Sequence, residues 1–401
     1  MFGSYYVVEM WLKKALVVFS ILFTVIGFSQ PELSSSSTIS ILTVGTADEL
    51  YAKFGHSAIR VQDPVLGIDV VYNYGHFDFT TPNFYMKFTR GKLLYSLARE
   101  RFSNFLYNYE LENRWVREQE LNLTTTQKNN VLQFLENNYL PENRFYKYDF
   151  LFDNCSTRIP DALVTILKDE LSFDYSHIQN RYTFRELLHQ NLDVNSWSNF
   201  GIDLALGSVI DREASPYEQL FLPIYVYKQL SFDSLNGESL VIKDSLLLDE
   251  KPTNASANFL GSPLFWLSIA AIFILFITYR DYKNKTRARW LDFVLFLTTG
   301  LAGMLIVFLW FGTDHKATAS NYNFLWTFPL NFFIAFLLVK KATLPKWITT
   351  YVMVLLGFLM LSLILWGFKI QVFSPLALLI IVPLALRYLF LIYSQRSSRV
   401  H

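Results

Sequence analysis

The second half of the chain is a series of apolar runs near residues 259–279, 291–311, 323–339, 348–368 and 374–394. Roughly 20 apolar residues in a helix cross the hydrocarbon of a bilayer, so these runs predict about five transmembrane helices. A shorter apolar run, Ala15 to Phe28, follows Lys13-Lys14 and precedes Ser29-Gln30-Pro31. That layout predicts a secretory signal or an uncleaved anchor in residues 1–30, with Met10 as an alternative start.

Between these apolar regions the pattern is that of a mixed α and β domain. Thr38–Val44, His56–Val61 and Val70–Tyr74 are rich in β-branched and aromatic residues and are separated by turn residues, which predicts strands. Arg114–Leu123 alternates in part like a half-exposed strand. Thr124–Tyr139 opens with capping residues, has an amphipathic pattern and meets Pro141, which predicts a helix. Asp153-Asn154 predicts a further helix from Cys155 to about Lys168, with a short or kinked start because of Pro160. The domain division expected is therefore 1–30, 31–257 and 258–401.

Charge changes the picture by giving direction. The whole chain has a formal charge of +1, yet residues 31–257 carry −10 and residues 258–401 carry +10. The basic residues of the apolar half gather in alternate loops: Arg280, Lys283, Lys285, Arg287 and Arg289, then Lys340, Lys341 and Lys346, then Arg396 and Arg399. The positive-inside rule puts those loops and the C-terminus in the cytoplasm and the acidic domain outside, in agreement with the signal-like start. Arg387, inside the last run, is expected to snorkel toward the side of the tail. Positive charge confined to short loops forms no continuous patch, which argues against a nucleic-acid partner.

Cys155 is the only cysteine, so no intrachain disulfide exists. At an expected helix start, unpaired N–H groups favour a thiolate or hold an oxyanion. His56 opens one expected strand and His76 ends the next, after Tyr72-Asn73-Tyr74-Gly75. A cysteine at a helix start facing a strand histidine is the papain-like arrangement in permuted order, and a small buried thiol is the alternative. His177 and His189 fit an exposed surface. A metal site from His56, His76 and Asp78 lacks the usual ligand spacings, so no metal or cofactor is expected. The polar stretch Gly312–Thr318 leads through Asn321-Tyr322-Asn323 into an apolar run, where it serves either as an interfacial anchor or as a head-group or substrate contact, with His315, Asn321 and Asn323 as candidates.

The stretches Glu49–Val61 and Val71–Phe79, the segments Pro141–Arg144 and Tyr148–Ile159, and the membrane stretch Asp314–Trp326 resemble the Lnb family of bacterial lipoprotein N-acyltransferases. The resemblance covers nearly the whole chain and implies an α+β permuted papain-like (NlpC/P60-like) extracytoplasmic domain followed by an all-α bundle of about five transmembrane helices. It also implies a multi-pass protein of the inner membrane, with Cys155 as nucleophile, His56 as base and Asn73 or His76 as the orienting group. Tyr74, Asn154 and Arg158 in the same stretches become candidate substrate contacts. The implied partners are a membrane phospholipid and a diacylated lipoprotein. Pro160 stands where family members tend to have a basic residue. An NlpC/P60-like cell-wall amidase or peptidase, a lipase and a non-enzymatic envelope scaffold are the competing readings.

Overall fold

The computed structural model describes Trp11 and residues 32–252, 258–340 and 344–397, so the signal or anchor expected in residues 1–30 lies outside the described residues apart from Trp11. Its first ten strands and seven helices, in chain order, are β1 Thr38–Val44, β2 His56–Asp63, β3 Ile68–His76, α1 Phe84–Thr89, β4 Leu94–Arg101, α2 Phe102–Leu111, β5 Val116–Leu121, α3 Thr125–Tyr139, β6 Phe145–Lys147, α4 Arg158–Leu167, β7 Leu171–Ser172, α5 Phe184–His189, α6 Trp197–Ala205, α7 Pro223–Leu230, β8 Ser234–Leu235, β9 Glu238–Ser239 and β10 Val241–Leu248. Seven strands make one sheet in the order β10-β5-β1-β2-β3-β4-β6. Every neighbouring pair in it is antiparallel.

Strict alternation explains why both faces of this sheet are covered. Ile41, Ile59 and Tyr72 pack with Leu135 of α3 and with Ile159 and Leu163 of α4. Their neighbours Leu42, Ala58 and Val71 face the other way, onto Phe105 of α2. The capping expected at Thr124 takes the form of a capping box: its hydroxyl accepts from the Gln127 N–H and the Gln127 side chain returns to the Thr124 N–H. Such a cap contributes about 1 kcal/mol. The helix after Cys155 starts later than expected, at Arg158, because Asn154 folds residues 154–157 into a turn first. Pro160 then falls within the first turn of α4, where its missing N–H removes no helical bond.

In the second half, α8 Pro263–Asn284, α9 Arg289–Phe311 and α11 Trp347–Gly367 are long, and α12 Leu378–Ser397 extends a preceding turn. Four helices among the described residues are long and apolar enough to cross a membrane. The apolar run expected at 323–339 is broken: a 3-10 turn, Tyr322–Leu325, is followed by the eight-residue α10, Asn331–Leu338. It still passes from one end of the bundle to the other. The Tyr322 N–H bonds the Gln371 side chain beyond the end of α11, while the Leu338 carbonyl accepts from Arg287 between α8 and α9. Broken backbone at this depth is tolerated only where protein surrounds it. Gly300 and Gly303 of α9 supply that enclosure, since a Cβ at Gly303 would lie 1.8 Å from the Thr327 carbonyl oxygen.

Arg387 does not snorkel. It is fully buried, with its guanidinium 2.7 Å from Asp292 and 2.8 Å from Asp281 and a further bond to the Ala288 carbonyl. Asp281 also accepts the Ala288 N–H at 2.7 Å, so one charge cluster ties α8, α9 and α12 together. Arg387→Met should lower stability by about 3–5 kcal/mol, because it leaves the buried Asp281 without its cation and Asp292 with only Arg287, 3.4 Å away. The thermal midpoint in detergent measures this, and adding Asp292→Asn should restore part of the loss.

The two halves are joined by the polar loop after α9. Gly207 and Ser208 donate to the Ala317 and Ser320 carbonyls, Asp314 donates its N–H to Arg90, and Lys147 pairs with the Asp314 carboxylate at 3.1 Å. The sheet domain is thereby held in one orientation on the bundle.

Candidate active site

Asn154 builds the turn that carries Cys155. Its Oδ1 accepts from the N–H groups of Ser156 at 2.7 Å and Thr157 at 2.9 Å, and its Nδ2 donates to the Phe150 and Phe221 carbonyls. Its amide is therefore fully engaged in shaping the turn, with no donor left for a ligand. The result is a buried thiol with the backbone N–H groups of Ser57, Cys155 and Ser156 close enough to favour its charged form. Burial outweighs those donors and pushes the Cys155 thiol up to about 11.

β3 reaches the cysteine through a glycine. Gly75 has φ +86°, and a Cβ there would sit 3.5 Å from the Cys155 Cβ and 3.4 Å from the Tyr148 ring. A side chain would be strained at that positive φ, so glycine is what lets the strand bend here. On the adjacent β2, His56 is 2.5 Å from Asn73 of β3, Nε2 to Oδ1. With the Asn73 oxygen accepting, Nε2 carries the proton and Nδ1 is left as the basic atom. Asn73 also lies near Glu100 of β4, where its amide favours the charged carboxylate. Burial lowers the His56 imidazole to about 4, with Asn73 opposing and the Arg114 charge assisting.

Tyr109 of α2 unites the group. Its ring stacks on His56 with centroids 6.4 Å apart, and it feels the charge of Cys155, Arg114 and Glu100. Arg114 packs over Tyr109 at 4.9 Å, donates from Nε to the Gly45 carbonyl and pairs with Glu112 through Nη1. Its Nη2 is buried without a hydrogen-bond partner. The structure thus brings His56 and Asn73 into direct contact, and Tyr109, whose ring stacks on His56, also senses the charge of Cys155. His76 is exposed and lines a neighbouring cleft of 610 Å³ together with Asn73, Glu100 and Tyr109.

The remaining candidates divide. Tyr74 and Arg158 line a second cleft of 490 Å³ with Phe134, Phe152 and Lys316. Arg158 holds Asp153 through two bonds of 2.5 and 2.7 Å and stacks on Tyr146 at 4.1 Å. Asn321 and Asn323 are buried, and their amides donate to the carbonyls of Asp203, Leu204 and Ala205. Their oxygens are also taken, Asn321 by Gln371 and Asn323 by Trp326. The expectation of substrate contact from these two asparagines gives way to a joint between the halves, because every side-chain polar group is already paired. His315 bonds the Phe88 carbonyl through Nε2 at 3.1 Å. His177 stacks on Phe232, and His189 bonds Asp203, both away from the thiol.

Residues 32–190 match the family described as the Lnb N-terminal periplasmic domain, and residues 254–398 match the Lnb transmembrane domain. The chain belongs to the Lnb family. It is a multi-pass protein of the bacterial membrane with a periplasmic domain. No curated protein and no solved structure matches it.

In this Lnb-family protein nothing in the sequence marks Tyr109, Arg114, Tyr148 and Glu100 as site residues. Tyr109 lies on α2 and Glu100 on β4, whose patterns speak only of packing, and Arg114 and Tyr148 lie in the connections beside β5 and β6. Gly75 was the available signal, since a glycine inside a strand pattern marks close backbone approach. With the thiol near 11 and the imidazole near 4, the resting pair at neutral pH is uncharged. Alkylation of Cys155 by iodoacetamide should therefore rise about tenfold per pH unit from pH 7 to 10, as the thiolate fraction does. A rate independent of pH over that range would show a preformed thiolate–imidazolium pair instead.

Proposed function

We propose that this chain is a lipoprotein N-acyltransferase that carries its acyl group on Cys155. The observation that carries the reading is the lone buried thiol near three backbone N–H groups, sharing its Tyr109 neighbour with a strand histidine oriented by Asn73. In the first step the Cys155 sulfur attacks an ester carbonyl of a phospholipid while its proton passes to Nδ1 of His56. Backbone N–H groups around the sulfur lie where they can stabilise the negative charge that develops. Collapse breaks the acyl–oxygen bond, and His56 returns the proton to the departing lysolipid alcohol. In the second step the α-amine of a diacylated lipoprotein attacks the thioester, His56 takes its proton, and the amide forms as the thiol is restored. No cofactor is required.

The aromatic surroundings favour an amine over water. Tyr109, Tyr146 and Tyr148 all lie close enough to sense the cysteine charge, and a site enclosed this way limits hydrolysis of the intermediate. The fixed joint with the bundle favours membrane substrates over cell wall, because a tethered wall amidase needs no defined orientation to the bilayer. We infer further that the C-terminus is cytoplasmic. The turn at Gln371 lies on the side of the sheet domain and the Arg287 turn at the far side, which leaves α12 running away from that domain.

Purified protein in phospholipid vesicles should add one acyl chain to the α-amine of a diacylated lipopeptide and none to its N-blocked form, read by mass. Release of free fatty acid with the free-amine lipopeptide unmodified would make it a lipase, and cleavage of a cell-wall peptide without acyl transfer would make it an amidase.

A further inference from the structure

The short helix α1 and the segment before it expose apolar side chains that the site does not use. Phe79 is 67% exposed, Tyr85 76%, Met86 61% and Phe88 50%, while Phe84 between them is buried. Among the described residues of the sheet domain none covers this face, and four large side chains in a ten-residue stretch exceed what scattered surface residues produce.

Its position says what covers it. Phe88 and Arg90 receive hydrogen bonds through their carbonyls from His315 and from the Asp314 N–H, at 3.1 and 2.9 Å. Gly91, at φ +66°, allows this approach, since a Cβ there would lie 3.2 Å from the Asp314 and His315 backbones. Asp314 is three residues past Phe311, the last residue of α9, one of the helices long enough to span a membrane. Three residues reach at most about 10 Å, so α1 sits within the layer where head groups meet hydrocarbon. Lys87, Arg90 and Lys92 flank the apolar face, the composition of an element lying in a membrane surface.

We infer that this face of α1 enters the leaflet facing the periplasmic domain and contacts phospholipid. The inserted face also connects to the thiol. Tyr85 meets Phe84 at 5.3 Å, Phe84 meets Phe77 at 5.9 Å, Phe77 meets Tyr95 at 5.4 Å, and Tyr95 stacks on Tyr148 at 4.3 Å. Tyr148 lies beside Gly75 and Cys155. This aromatic run guides the lipid toward the cysteine, a statement that rests on the acyl-transfer reading, whereas the insertion does not.

The test uses the full chain in vesicles of phosphatidylethanolamine and phosphatidylglycerol, with Cys155→Ser so that each introduced cysteine is unique. Spin labels at Tyr85→Cys and Phe88→Cys should collide with oxygen more than with a water-soluble nickel chelate. A label at Val65→Cys, equally exposed in the β2–β3 turn, should show the reverse preference. Aqueous behaviour at 85 and 88 overturns the insertion, and so does protection that disappears on dilution to one chain per vesicle, which would mean a second copy. With cysteine at 155 restored, Tyr85→Ser with Phe88→Ser should reduce transfer from vesicle phospholipid and spare transfer from a water-soluble short-chain thioester. Unchanged vesicle transfer, with insertion intact, removes the guide alone; no transfer by the unsubstituted protein would instead count against the acyl-transfer reading.

Discussion

Cys155→Ala is expected to abolish acyl transfer, by at least about 10³-fold in kcat, while the protein keeps its fold. The donors around the sulfur are backbone N–H groups of Ser57, Cys155 and Ser156, and they remain in the variant. Asn154 holds the turn through its own side chain, so the loop does not depend on the thiol. The structural cost is the loss of one small buried atom, on the order of 1 kcal/mol. Activity and thermal midpoint measured on the same preparation separate the two effects. A scaffold cysteine would show the reverse: little change in turnover and a lower midpoint.

His56→Ala should reduce kcat by about 10² to 10⁴, the usual range for a lost general base, with KM nearly unchanged. The residual rate should gain more from raised pH than the wild-type rate does, because hydroxide can then generate the thiolate that His56 no longer helps to form. Asn73→Ala should give a smaller loss of the same kind. Asn73 touches Nε2 of His56 and Glu100, not the sulfur, and acts by holding the imidazole in the tautomer that presents Nδ1. His76→Ala should cost less than Asn73→Ala, since His76 faces the open cleft. A larger effect from His76 would mean that the orienting role belongs to the last residue of β3.

The strands that carry His56 and Asn73 were legible because β-branched and aromatic residues alternate there, and both termini of β1 were read from the sequence. The late start of α4 was not legible, since Asn154 satisfies its neighbours through a turn that a helix-start signal resembles. The membrane half showed its apolar runs but hid what lies inside them. Hydropathy cannot reveal that residues 322–338 cross as a broken segment, because the enclosing Gly300 and Gly303 belong to another helix. For the same reason Arg387 looked like a residue reaching for water, when its partners Asp281 and Asp292 are distant in sequence. Of the candidate site, the thiol and the histidine could be named from residue type and order. That Asn73 is the residue touching His56 shows only in the folded strands, and the bonds of Asn321 and Asn323 to residues 203–205 need the other half of the joint.

The central claim is that an acyl group resides on Cys155 between donor and acceptor. Purified protein is incubated with a phospholipid carrying a labelled acyl chain and no amine, then digested and examined by mass. The account predicts label on the Cys155 peptide, released by neutral hydroxylamine, which cleaves thioesters and spares amides, and transferred to a diacylated lipopeptide when one is added. Active protein that transfers acyl chains while Cys155 stays unlabelled, or that carries the label on another residue, would contradict it.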